Sequence, residues 1–229
     1  WRVDSIISDA QEGRSLALVI DSNVTLTAEN SYTGGTTISG STVQVSNEQA
    51  FAGDSLNMTG GTLKLNSNLN LSTLSGVANS TLQLNGKKLI LTGNGGSFAG
   101  TVSGTGSIAM DGSGTQEFSK AASFADIAVN SGTLQLGGGS ATGKVTVARD
   151  ARLTIADKDF TISSAVENAG TFAFTGASHK LVLDPSGSFE QVSLGYKDIT
   201  GGTVSGNGFA QGTTIKVINN QDGASTENV

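Results

Sequence analysis

The chain has 229 residues, a formal net charge of −6 and a pI near 4.7; 36% of it is hydrophobic, 5% aromatic, and it has 32 glycines, one proline and no cysteine. The length suits one all-β unit, the missing cysteines exclude disulfides and thiolate metal sites, and the acidic balance, with Lys87-Lys88 as the densest cationic pair, argues against nucleic acid as a partner. No apolar run approaches the roughly 20 residues a membrane helix needs, so no membrane insertion is expected of this segment.

The opening residues, Trp1-Arg2-Val3-Asp4, show no basic region ahead of an apolar core, so they read as no signal peptide. Residues 1–13 fit no repeat and are expected to be irregular. The first clear pattern is Ser41-Thr42-Val43-Gln44-Val45: small, threonine, apolar, polar, apolar. It returns as Gly61-Thr62-Leu63-Lys64-Leu65, Ser80-Thr81-Leu82-Gln83-Leu84, Gly132-Thr133-Leu134-Gln135-Leu136, Ala151-Arg152-Leu153-Thr154-Ile155 and Gly170-Thr171-Phe172-Ala173-Phe174. Alternation with period two predicts strands that bury one face. Glycine and serine richness can mark disorder, but a disordered linker would not hold this register.

The spacing sets the architecture. Leu134, Leu153 and Phe172 recur every 19 residues, as do Leu63 and Leu82; a second series, Leu69, Leu89, Ile108, Ile127 and Val145, steps by 20, 19, 19 and 18. Self-similarity at that period predicts a solenoid. Pieces such as Lys144-Val145-Thr146-Val147 and Asp159-Phe160-Thr161-Ile162 between members of the first series predict three strands per turn. Dividing the chain by about 19 predicts about 11 to 12 turns and a rod on the order of 50 to 55 Å long. The inward residues are expected to be the apolar pairs such as Val43/Val45, Leu89/Leu91 and Ile108/Met110. Gln44, Lys64, Gln83, Thr146, Thr154 and Thr161 are expected outside.

The best helical stretch is Ser119–Asp126, but Ile127 and Val129 resume strand spacing at once, which favours strand there. Residues 219–229 are polar and expected to be irregular. The competing architecture is a β-sandwich, for which Asn85-Gly86, Asp111-Gly112 and Asn207-Gly208 would serve as hairpin turns.

Asn30, Tyr32, Thr33, Gly34, Gly35, Thr36, Thr37, Ile38 and Val45 resemble the repeat of bacterial autotransporter passenger domains, with Ser41 and Val43 as mild departures. Residues 47–63 resemble its continuation. The resemblance implies an all-β, right-handed parallel β-helix, here a single segment over residues 1–229. It also implies type V secretion across the outer membrane and display on a Gram-negative cell surface, with adhesion, aggregation or biofilm formation as the work. A whole protein of this kind would add a signal peptide and a membrane barrel, so this stretch resembles a middle or late piece.

His179, the only histidine, alternates outward before Leu181 and Leu183 and reads as a surface group, and no cofactor or metal ligand set is expected. No serine elbow opens a helix. The densest charges are Arg149, Asp150, Arg152, Asp157, Lys158 and Asp159; they alternate in sign, reading first as a solvated face and only weakly as a partner-binding patch. The expectation is a non-enzymatic adhesin or self-association module, whose partners would be itself or a host surface protein or glycan. The alternatives are an inert stalk and a polysaccharide-acting enzyme.

Overall fold

The computed structural model describes residues 1–11, 13–156, 158–164 and 166–175, together with the strands Lys180–Leu183, Val192–Gly195, Thr203–Gly206, Thr214–Asn219 and Gly223–Asn228. Short strands alternate with glycine, asparagine and serine corners, and along the coil successive turns pair strand on strand in parallel. The result is a parallel β-solenoid of about 19 residues per turn, with no helix among the described residues.

Three sheets run along it. The first has nine strands: Leu18–Ile20, Thr36–Ile38, Leu56–Met58, Leu74–Gly76, Gly95–Phe98, Thr115–Phe118, Thr133–Leu136, Arg152–Ala156 and Thr171–Thr175. The second joins Arg2–Val3, Val24–Leu26, Thr42–Val45, Gly61–Leu65, Ser80–Gln83 and Thr101–Ser103. Its place in each later turn passes to a sheet that opens with Ala122–Phe124, Gly139–Ala141 and Phe160–Ile162. The third joins Leu69–Leu71, Lys88–Leu91, Ser107–Met110, Ile127–Val129, Val145–Val147 and Val166–Asn168.

The stacking follows the spacing of the apolar residues. Leu134 pairs with Leu153 and Leu153 with Phe172 in the first sheet. Leu69, Leu89, Ile108, Ile127 and Val145 form one unbroken column of the third. The recurring five-residue pattern, however, does not mark a single face. Val43, Leu63 and Leu82 stack in the second sheet, whereas Leu134, Leu153 and Phe172 stack in the first. The pattern encodes a corner followed by a one-sided strand, and two sides of the coil use it.

Turn number also differs from expectation. The longest sheet has nine strands, so the solenoid makes about nine turns and spans about 38 Å at the ~4.8 Å strand spacing. Among the described residues, those before Leu18 and after Thr175 add no strand to that sheet. The step from Gly76 to its partner Phe98 takes 22 residues, longer than an average turn.

The sandwich alternative fails at its own turns. Asn85-Gly86, both with positive φ (51° and 75°), links Ser80–Gln83 of the second sheet to Lys88–Leu91 of the third. Asp111-Gly112 links the third sheet to the first, so both pairs turn corners between sheets; Asn207-Gly208 lies outside the described residues. Ser119–Asp126 contributes the strand Ala122–Phe124. Near the chain ends, Arg2–Val3 pairs with Thr25 and Leu26, and Gly223–Asn228 pairs antiparallel with Thr214–Asn219.

The interior is a column of Leu, Ile, Val and Phe, nearly all fully buried. Phe98, Phe118 and Phe124 meet edge to face, with ring centroids 5.8 and 6.0 Å apart. Gly76 lies against Phe98 so closely that a Cβ there would sit 2.5 Å from the ring. The interior also holds one fully buried amide, Gln116. It faces inward in register with Gly96 and Leu134.

Candidate functional site

The charged cluster separates into two corners. Arg149 and Asp150 are exposed ahead of the strand Arg152–Ala156, with Asp150 in the left-handed region at φ 66°. Lys158 and Asp159 are exposed after that strand, which runs about 15 Å. Asp159 is tied into the ladder by its carbonyl, which accepts from the Gly139 N–H at 3.0 Å. Arg152 is half-buried and donates from Nε to Thr154 Oγ1 at 3.1 Å. That contact explains a departure: Thr154 alternates outward, yet it is buried because Arg152, two residues back on the same side, lies over it. Asp157 and His179 lie outside the described residues. Among the described residues no group of three or more His, Cys, Asp and Glu is gathered as a metal site would require.

The rest of the outer surface is built of polar columns in register. In the second sheet Thr42, Thr62, Thr81 and Thr101 stack one above another. Beside them run Arg2, Thr25, Gln44, Lys64, Gln83 and Ser103. Gln44 accepts from Asn66 Nδ2 at 3.3 Å, and Lys120 Nζ donates to the Ala78 carbonyl at 2.7 Å and reaches Thr101 Oγ1 at 3.4 Å. Among the described residues the hydroxyls of Thr42, Thr62 and Thr81 have no hydrogen-bond partner. Further along, Ser123, Ser140 and Thr161 form another column, with Ser140 Oγ donating to Ser123 Oγ at 2.9 Å. In the first sheet Ser97, Glu117, Gln135 and Thr154 stack, and in the third Lys144 pairs with Glu167 at 2.7 Å.

The chain matches no protein-family model, no curated protein and no solved structure. In the first two turns the third side of the coil carries no strand; residues 30–35 of the Asn30–Ile38 motif occupy it in the first of them, and Thr36–Ile38 opens the next turn in the first sheet. Asn30 is buried; its Nδ2 donates to the Ala50 carbonyl at 2.6 Å and its Oδ1 accepts from the Ile7 N–H at 2.8 Å, tying three successive layers together. Tyr32 is buried with its hydroxyl on Thr36 Oγ1, and desolvation pushes its pKa up to about 12. Gly35 takes φ 76°, and a Cβ on Gly34 would come within 2.6 Å of the Leu16 and Ala17 backbone.

Asp9 closes this region from outside. Its carboxylate accepts from the Leu16 N–H at 2.7 Å, from Thr33 Oγ1 at 2.8 Å and from the Thr33 N–H at 3.2 Å. Those bonds, the one from Leu16 foremost, hold its pKa below the ordinary aspartate value. The motif residues thus hold one coil to the next, and the unpartnered polar groups lie elsewhere, on the outer columns. Sequence reading placed Gln44, Lys64 and Gln83 outside but did not see that the threonines form one register. The signal was present: Thr42, Thr62, Thr81 and Thr101 are spaced by 20, 19 and 20 residues.

Proposed function

We propose that this chain is a non-enzymatic adhesion and self-association segment of a bacterial passenger domain. In this reading it is carried across the outer membrane of a Gram-negative cell and displayed outside it. The observation that carries the reading is the set of in-register outer columns, above all Thr42, Thr62, Thr81 and Thr101 with unpartnered hydroxyls on the first three. Such a row presents the same group at each rung. A second copy lying alongside would meet many equivalent hydrogen-bonding sites, each adding about 0.5–1.5 kcal/mol, so that affinity accumulates along the contact.

Sedimentation velocity over a wide concentration range tests the self-association. Concentration-dependent association, lost when Thr62 and Thr81 are both changed to Lys, supports it; a strict monomer at high concentration sinks it. The stalk reading draws on the continuous apolar core, which suits a spacer. Beads coated with the chain separate the two, since a spacer leaves them dispersed and an adhesive segment clumps them.

A further inference from the structure

The outer face of the third sheet carries both signs of charge in a single column. Asn68, Lys88, Ser107, Asp126 and Lys144 stand there on successive rungs. The Lys88 N–H donates to Asn68 Oδ1 at 3.0 Å, Lys88 pairs with Ser107, and Ser107 Oγ donates to Asp126 Oδ2 at 3.1 Å. The Lys144 N–H in turn donates to Asp126 Oδ1 at 2.9 Å, while the Lys144 ammonium is taken by Glu167 at 2.7 Å. Among the described residues Asp126 accepts from neutral donors, and Lys88 has no carboxylate partner. These two opposite charges are two rungs apart, about 10 Å, too far to pair within one chain.

The neighbouring column is built about the same centre. Asn70, Ile90, Ala109, Ala128 and Thr146 follow one another there. Ile90 is half-buried, Ala109 is fully buried beside it, and Ala128 is small where Ile90 is large. Asn70 Oδ1 is buried with no hydrogen-bond partner among the described residues, and the Thr146 hydroxyl has none either. Counted from the rung of Ser107 and Ala109, Lys88 and Asp126 lie one step to either side, as do Ile90 and Ala128. Asn70 and Thr146 lie two steps to either side. Each position finds its complement at the opposite rung.

We infer that this face pairs with the same face of a second copy, the two rods antiparallel about a twofold axis through the Ser107–Ala109 rung. Lys88 of each copy then meets Asp126 of the other, giving two equivalent charge-assisted contacts. Ile90 lies over the space that Ala128 leaves, and a turn of the Asn70 amide offers its oxygen to the Thr146 hydroxyl. Parallel rods would bring Lys88 level with Lys88 and Asp126 level with Asp126. A shift of one rung removes both ion pairs, and in one direction it sets Lys88 against Lys144. Repulsion of like charges thus selects one orientation and one register. The matched stretch covers five rungs, about 20 Å, so the pair is weaker than a standard-sized interface would give. The inference adds a face and an orientation to the proposed self-association and rests on that reading, although the threonine columns lie on a different sheet.

Sedimentation velocity of the whole chain at low salt measures the pairing. Lys88→Glu and Asp126→Lys are each expected to weaken it about tenfold or more, because like charges then face one another. An equimolar mixture of the two variants restores opposite charges at both contacts and is expected to associate within about threefold of the parent. The Lys88 side chain bonds to nothing among the described residues, so Lys88→Glu is expected to keep the parent's far-UV circular dichroism. If Asp126→Lys, which loses the bonds from Ser107 and Lys144, alters that spectrum, Ile90→Glu takes its place and is expected to weaken the pair as Lys88→Glu does. Unchanged association in Lys88→Glu, or a mixture of the two folded variants no tighter than either alone, overturns the inference. Association that persists in Lys88→Glu but is lost in the Thr62→Lys, Thr81→Lys double variant overturns this pairing and leaves the proposed function standing. A strict monomer removes both.

Discussion

The side-chain amide of Gln116 reaches past Gly96 to the second strand below it: Nε2 donates to the Leu74 carbonyl at 3.0 Å, and Oε1 accepts from the Leu74 N–H at 3.4 Å, across 42 residues. Between Leu74–Gly76 and Gly95–Phe98 the ladder has a single registered pair, Gly76 with Phe98. Gly96, between Gln116 and Leu74, has no side chain to block the amide, and a Cβ there would sit 2.5 Å from the Leu74 carbonyl oxygen. A buried amide so placed satisfies backbone groups that would otherwise lie unpaired in the core.

Removing that amide is costly. Gln116→Ala leaves the Leu74 peptide groups unpaired and opens a cavity, and is expected to destabilise the chain by about 2–4 kcal/mol. Urea unfolding followed by circular dichroism measures it. A midpoint unchanged from the parent would mean the amide carries no such role. Gln116→Leu should recover packing but not the hydrogen bonds, and fall between the two.

The contact of Gly76 with Phe98 leads to a second expectation. Gly76→Ala places a methyl 2.5 Å from the ring and is expected to cost about 1–3 kcal/mol through overpacking. Adding Phe98→Leu should relieve part of that clash, so the double variant loses less than the two single variants combined. Additive losses would show that the two residues do not press on each other.

Tyr32 makes stability depend on alkaline pH. Burial raises its pKa from the ordinary 10.0 to about 12, so the folded state holds the proton more tightly than the unfolded chain. The contribution is complete below pH 10.0 and is lost as pH rises through about 12. The urea midpoint of the parent should fall across that window faster than that of Tyr32→Phe. The variant should also be less stable at neutral pH by about 1 kcal/mol, the worth of its bond to Thr36. Parallel pH profiles for the two proteins would refute this.

Asp9 acts at the acid end with the opposite sign. Its pKa lies below the ordinary 3.8, so its stabilising effect is present above that value and disappears as pH falls through the lower folded value. The effect is local to the first coils, because its partners are Leu16 and Thr33. Amide hydrogen exchange should speed up at Leu16 and Thr33 in Asp9→Asn, while the Leu134 amide stays protected. Equal acceleration everywhere would mean that Asp9 supports the whole rod.

How much of this could be read from residues alone depended on which signal carried it. Leu69 to Val145 step so regularly that their column was legible down to each pairing, because a buried apolar position has to recur once per turn. Which side of the coil a strand occupied was not legible, since Val43 and Leu134 sit in the same local pattern on different sheets. Gln116 is hidden in Thr115-Gln116-Glu117, which reads as polar surface. Phe118, two residues on, is buried, and alternation from it places the glutamine inside. The charge cluster looked continuous because Arg149 to Asp159 are close in sequence. A strand of five residues carries its two ends to different corners, and Thr154 within it is covered by Arg152.

The tie from Gln116 to Leu74 has a neighbour: Lys120 reaches the Ala78 carbonyl, also across 42 residues. The ladder bonds elsewhere link a rung only to the next, so a rod drawn out by tension from one end should peel turn by turn, each step resisted by one layer. At this place two fastenings skip a layer together, and the pull must break them along with the rung between. Force applied to such a filament would therefore meet a latch part-way along its length, leaving the coils beyond it wound while those before it pay out.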